Sequence, residues 1–308
     1  MTTPQPQAAH PAAPQTAPQA APHAAPGYWP GTAPAGGPGG GYVSPIPVRK
    51  ATLMDALAAE WTKIRSVRST IWTLSVMVAI IVGIGLLIAA GVDASNSKMT
   101  GTTALAAGFF SVMLGMICVI TLGVLTISSE YGTGMIRTTL TACPDRVRVL
   151  TAKAVVFFAL SFVITLVCTT LVAMADVALL DDQSDFVSSS ADWLKVTIGT
   201  SLFIGLLGLI SLAMGTLLRH SAGAITVMLG VVLMPLVVAM FMFTESLSSV
   251  RKALFEYSIP MLLSVFYTAD GQETSGTSLT GWDPLWVIAA IAAVALGGAY
   301  ASLLKRDA

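Results

Sequence analysis

Six runs of about twenty apolar residues constrain this chain more than any other feature, because that is the length a helix needs to cross the hydrocarbon of a bilayer. They are Ile71 to Gly91, Ala104 to Ile127, Ala154 to Leu180, Val196 to Leu218, Ala222 to Phe243 and Leu285 to Leu304. Composition agrees. Of 308 residues, 55% are hydrophobic and 10% charged, whereas soluble domains carry roughly a quarter charged residues. The expected fold is an all-α membrane protein built as a bundle of six transmembrane helices. The run after Lys153 exceeds what a crossing requires and has room to tilt. The stretch Leu254 to Thr268, interrupted by Glu256 and Pro260, is too short to cross and reads as interfacial or re-entrant.

Residues 1–48 are of another kind. Twelve prolines lie among Ala, Gln and Gly, a mixture that buries too little apolar surface to fold. The segment reads as a disordered cytoplasmic tail or, alternatively, as an extended polyproline arm for a partner. It has neither charge nor apolar run before Arg49, so it does not read as a secretory signal. Residues 49–308 form the membrane domain. With the tail inside, Arg49, Lys50, Lys63, Arg65, Arg68, Arg137, Arg146, Arg148, Lys153, Arg219, Lys305 and Arg306 all fall on the cytoplasmic side. Lys98, Lys195, Arg251 and Lys252 fall outside. Basic residues are retained inside, so both termini are expected in the cytoplasm.

Formal net charge is zero, and nothing points to nucleic acid. Cys118, Cys143 and Cys168 have no framework or metal-ligand spacing. Neither a disulfide nor a metal site is expected. Small residues four apart (Ser75, Ala79 and Gly83; Ser111 and Gly115; Ser201 and Gly205; Ser211 and Gly215) allow close helix approach, either within the bundle or in a dimer.

Two cytoplasmic elements stand out. Thr52 to Arg65 places Leu53, Leu57 and Trp61 on one stripe with Met54, Ala58 and Ile64 beside it, the period of a helix with a broad apolar face. Thr52 and Asp55 have capping-box spacing. Trp61 and the basic residues after it suit the inner headgroup level. This is an interfacial helix, or else an extension of the first span, since no clear breaker separates Arg65 from Ile71. The second element is the loop Ser128 to Lys153. Gly132 and Gly134 permit a sharp change of direction. Met135, Ile136, Thr139 and Leu140 form one face of a short helix, Pro144 stops it, and Asp145 caps the next. Glu130 is expected either to pair with Arg137 or Arg146 at the surface or to serve a docking function.

At these residues the chain resembles the permease subunits of type 2 ATP-binding-cassette exporters, especially those of high-GC Gram-positive bacteria. The resemblance covers Leu53 to Lys305 and is most specific in LAAEWTKIRSVRST and EYGTGMIRTTLTACPDRVRVLTAK. It implies an amphipathic helix before six spans and a coupling helix after the second that fits a groove on an ATPase subunit. The coupling contact would comprise Glu130, Tyr131, Gly132, Thr133, Gly134, Met135, Ile136, Arg137 and Leu140. Leu53, Leu57, Trp61 and Ile64 would form the interfacial helix, and Leu254 to Thr268 a re-entrant segment. The implied partners are an ATPase subunit, a second permease copy or paralogue, and the lipid of a bacterial plasma membrane. No cofactor is expected on this chain, ATP being bound by the partner.

Other functions fit less well. No Gly is followed by Lys, so a Walker A phosphate loop is absent. His10, His23 and His220 supply neither an HExxH pair nor a recognisable triad, which argues against an intramembrane enzyme. A secondary transporter would place ionisable groups or paired broken helices at mid-membrane. Here the runs are nearly uncharged, Asp176 lies near the outer end of its run, and Pro235 is the lone spanning proline. Sodium coupling through backbone carbonyls would escape that test. A membrane scaffold or sensor component is the third alternative.

Overall fold

The computed structural model describes residues 51–269 and 277–305. The Pro-rich tail and the end after Lys305 lie outside them. Helix α1 (Leu53–Ser66) precedes α2 (Arg68–Ser95), α3 (Phe109–Thr133), the short α4 (Met135–Ala142) and α5 (Arg146–Leu180). The fourth crossing is a composite of α6 (Ser190–Leu194), a wide turn Lys195–Gly199 and α7 (Thr200–Leu218). It is followed by α8 (Ser221–Phe241), α9 (Ser248–Glu256), α10 (Ile259–Ser264) and α11 (Asp283–Lys305). Among the described residues, six helical segments are long and apolar enough to cross a membrane: Arg68–Ser95, Ala104–Thr133, Arg146–Gln183, Ser190–Leu218, Ser221–Phe241 and Asp283–Lys305. The fold is a mostly helical membrane-embedded bundle.

Two short strands, β1 (Met99–Thr103) and β2 (Ser184–Phe186), depart from the all-helical expectation. They pair in parallel, and the Gly101 amide donates to Asp185 at 2.7 Å. The pairing ties the connection after α2 to the one after α5.

Segment α7 is the axis of the bundle. Of its apolar window 67% is buried, against 22% in α2, α8 and α11, whose open apolar faces suit lipid. Close approach of backbones sets the α3–α7 seam: a β-carbon at Gly123 would stand 2.7 Å from the Gly208 carbonyl oxygen. Ser111, Ser201, Ser211, Gly205 and Gly215 are likewise buried inside the bundle. The first stripe differs, since Ser75 and Ala79 are exposed and nothing lies within 4 Å of a β-carbon at Gly83.

Three local readings change. The joint between α1 and α2 is Val67, in extended conformation (φ −83°, ψ 111°). The first crossing therefore begins at Arg68, and α1 is a separate helix although no glycine or proline marks the break. Lys195, expected in an outer loop, lies within the fourth crossing. It is buried, paired with Asp192 at 3.0 Å and donating to the Thr268 carbonyl at 3.1 Å, which removes the cost of burying an ammonium alone. The stretch Leu254 to Thr268 is not one element. The end of α9 is surface-lying, whereas Ile259, Pro260, Leu262, Leu263, Val265, Phe266 and Tyr267 are buried against the bundle.

Candidate functional site

Helix α1 has the cap and the apolar face expected from its sequence and faces two ways. Thr52 Oγ1 accepts from the Asp55 amide at 3.3 Å while Asp55 accepts from the Thr52 amide at 2.9 Å, closing the capping box. Leu53, Met54 and Trp61 stay exposed. Leu57 and Ile64 are half-buried. The opposite face carries Ala56, Glu60 and Lys63. Glu60 is the residue α1 buries most fully.

Burying that carboxylate requires cations, and two are supplied. Lys63 Nζ donates to Glu60 Oε1 at 3.0 Å and to Glu130 Oε1 at 2.6 Å. Lys153 Nζ donates to Glu60 Oε2 and to Glu130 Oε1, both at 2.7 Å. The four side chains form a closed ring of alternating sign in which each carboxylate lies between two ammonium groups. Its formal charge sums to zero. Lys153, 1% exposed, is among the largest fully buried side chains of the molecule. The ring joins α1, the last turns of α3 and the first turns of α5. Around Lys63, burial works against the ammonium, but Glu130 and Glu60 outweigh it and hold its pKa above the ordinary 10.5. Because the folded value is the higher, Lys63 contributes fully below 10.5 and loses its contribution only as pH climbs through the raised value. Thermal unfolding of purified protein is therefore expected to show no alkaline loss attributable to Lys63 at neutral or mildly alkaline pH.

Clefts flank the ring on two sides. One of 290 Å³ is lined by Val67, Thr70, Leu122, Thr126, Glu130 and Lys153. The other, of 390 Å³, lies between α1, α4 and the start of α5 and is lined by Ala56, Glu60, Thr139, Cys143, Val149 and Ala152.

The expected docking loop resolves into two parts. Glu130, Tyr131, Gly132 and Thr133 belong to α3, not to a loop. Glu130 is buried and does not pair with Arg137 or Arg146; its partners Lys63 and Lys153 come from elements distant in sequence. Tyr131 is half-buried beneath Arg219, whose guanidinium carbon lies 4.9 Å from the ring centroid. The turn is made at Gly134 alone, with φ +72°, a conformation that favours glycine. Beyond it, α4 divides its residues. Ile136 is 6% exposed and anchors the helix, while Met135 is 47% exposed. Arg137 also points out, and Leu140 is half-buried. Asp145 caps α5, accepting from the Arg148 amide at 3.1 Å, and Arg148 also donates to the Ala51 carbonyl. His220 caps α8 through Nδ1, which accepts from the Gly223 amide at 3.1 Å.

Sequence reasoning missed the ring. It placed Lys63 and Lys153 among the cytoplasmic basic residues and overlooked Glu60. The available signal was the Glu60-to-Lys63 spacing of an adjacent helical pair, but the long-range partners left no trace. No family model matches the chain, and no curated protein matches it.

Proposed function

We propose that this chain is the permease subunit of an ATP-binding-cassette exporter, forming the transmembrane pathway while a separate subunit binds and hydrolyses ATP. The observation that carries the reading is the mounting of α4. A short helix with exposed Met135 and Arg137 is anchored by Ile136 and set beside a buried ion-pair ring that ties α1, α3 and α5 together. An element that receives force from a partner needs an exposed contact face on a rigid base, and α4 has both. The side bearing Arg146, Arg148 and Lys153 faces the cytoplasm of a bacterial cell. Both termini lie there, the chain has no chemistry of its own, and a second permease copy or paralogue completes the pathway.

The docking face is Met135, Arg137 and the outward side of α4, not the whole motif. Ile136 and Glu130 act from beneath it. The reading requires a Walker A ATPase, to be sought in an adjacent reading frame, and the full chain is to be co-expressed with it. Met135→Asp combined with Arg137→Glu is expected to lower co-purification about tenfold or more, with the permease eluting as before. Undiminished assembly would remove the coupling role of α4.

One observation favours the secondary-transporter alternative: the buried carboxylate of Asp176. It lies seven residues before the end of its crossing at Gln183, roughly 10 Å by helical rise, rather than at mid-membrane. ATP-driven export is therefore the preferred reading.

A further inference from the structure

Asp176, on α5, is 1% exposed; neither carboxyl oxygen has a partner in full hydrogen-bonding geometry, and the backbone amide of Gly108 is the donor that stands beside it. Its surroundings are tight. A β-carbon at Gly108, at the start of α3, would stand 3.2 Å from Asp176 Oδ2, 3.2 Å from Val172 and 3.7 Å from the Tyr267 ring. Across the site, the buried hydroxyl of Thr200, the first residue of α7, stands beside the Tyr267 phenol. Tyr267, which packs edge-on against Phe109 with ring centroids 5.7 Å apart, ends the buried segment Ile259–Tyr267.

Charge cannot be balanced here as it is in the ring. The nearby elements carry few titratable groups, and most are engaged elsewhere. Lys195 pairs with Asp192 and donates to the Thr268 carbonyl. Asp93 on α2 accepts from Gln183 at 3.0 Å, and Asp185 accepts from Gly101. Asp181 begins the turn after α5. Tyr267 is the titratable side chain facing the carboxyl, and its phenol brings no positive charge. An ionised carboxylate enclosed by Val172, Gly108 and an aromatic ring would have one backbone amide, that of Gly108, and no cation to offset its burial. A proton is the cation that such close packing admits.

We propose that Asp176 is a proton-binding site and that its occupancy latches the segment Ile259–Tyr267 into the bundle. With the proton bound, the neutral carboxyl packs behind Tyr267 and the segment stays seated between α3 and α8. Loss of the proton leaves a carboxylate that must be hydrated. Water reaches it by displacing Tyr267, so the segment loosens at the end of α5 opposite Lys153. This latch is independent of whether an ATPase docks on α4.

The test uses the full chain reconstituted in lipid vesicles. Difference infrared spectra of wild type and Asp176→Asn, taken across a pH series, are expected to show a protonated-carboxyl carbonyl band that only the wild type has and that disappears in one titration. Hydrogen exchange of residues 259–268, corrected for the intrinsic pH dependence, is expected to rise about tenfold or more through the same titration in wild type. Asp176→Asn, a neutral side chain of the same shape, should remain protected throughout. Tyr267→Phe should keep the infrared band, which separates proton binding from the latch. A wild-type spectrum without the band would overturn the proton site. Identical exchange profiles in wild type and Asp176→Asn would overturn the latch.

Discussion

Replacing Lys153 with Met is expected to cost about 3–5 kcal/mol, the usual penalty for removing one member of a buried ion pair and leaving its partner charge uncompensated. The variant retains the buried Glu60 and Glu130 facing a single, partly exposed ammonium, that of Lys63. The measurement is the midpoint of thermal unfolding in detergent, followed by the monodisperse fraction on size exclusion. The diagnostic variant is the double substitution Lys153→Met with Glu60→Met. It restores neutrality by leaving the Lys63–Glu130 pair at 2.6 Å, and a swap to apolar groups of similar volume is often neutral. Recovery of most of the loss would identify charge balance as the ring's contribution. A double variant as unstable as the sum of the two single ones would show that each side chain acts alone.

Gly123→Leu is expected to be similarly damaging for a steric reason. The first atom of any side chain there meets the Gly208 carbonyl at 2.7 Å and Ser211 Cβ at 3.0 Å, and neither the backbone nor a β-carbon can swing aside. Overpacking of a tight core costs roughly 1–3 kcal/mol and more where the backbone must shift; here α3 and α7 would have to separate along their seam. Gly83→Leu is the control, with open space around it. The expected result is loss of monodisperse protein for Gly123→Leu and wild-type behaviour in detergent for Gly83→Leu. Equal tolerance of both would mean that the seam can relax.

The crossings were legible because the bilayer imposes a length on apolar runs that local sequence must satisfy. Caps were legible for a similar reason: Thr52, Asp55 and Asp145 act within three residues of themselves. Val67 was not, since the break depends on α1 turning to present Glu60 and Lys63, and a valine has no intrinsic turn signal. Glu130 was misplaced because Arg137 and Arg146, in the same stretch of sequence, offered themselves as partners, while its true partners stand 67 and 23 residues away. Asp176 looked peripheral by its position near the end of a run. Its burial comes from Tyr267, a side chain almost a hundred residues later whose approach no local pattern announces. Within α4, sequence periodicity grouped Met135 with Ile136, but only packing divides the buried residue from the exposed one.

Helix α5 runs for 35 residues from Arg146 to Leu180 without a glycine or a proline. Sharp bends arise at prolines, glycines and widened turns, so its neighbours have places to flex: α8 at Pro235, and α7 at the turn Lys195–Gly199. α5 lacks such a joint. Lys153 and Asp176 are fastened to one stiff rod, 23 residues and about 35 Å apart by helical rise. No glycine or proline between them offers a point at which the helix would bend. The charge ring and the unpaired acid are thus two ends of one lever, and the stiffness that links them is written in what its sequence omits.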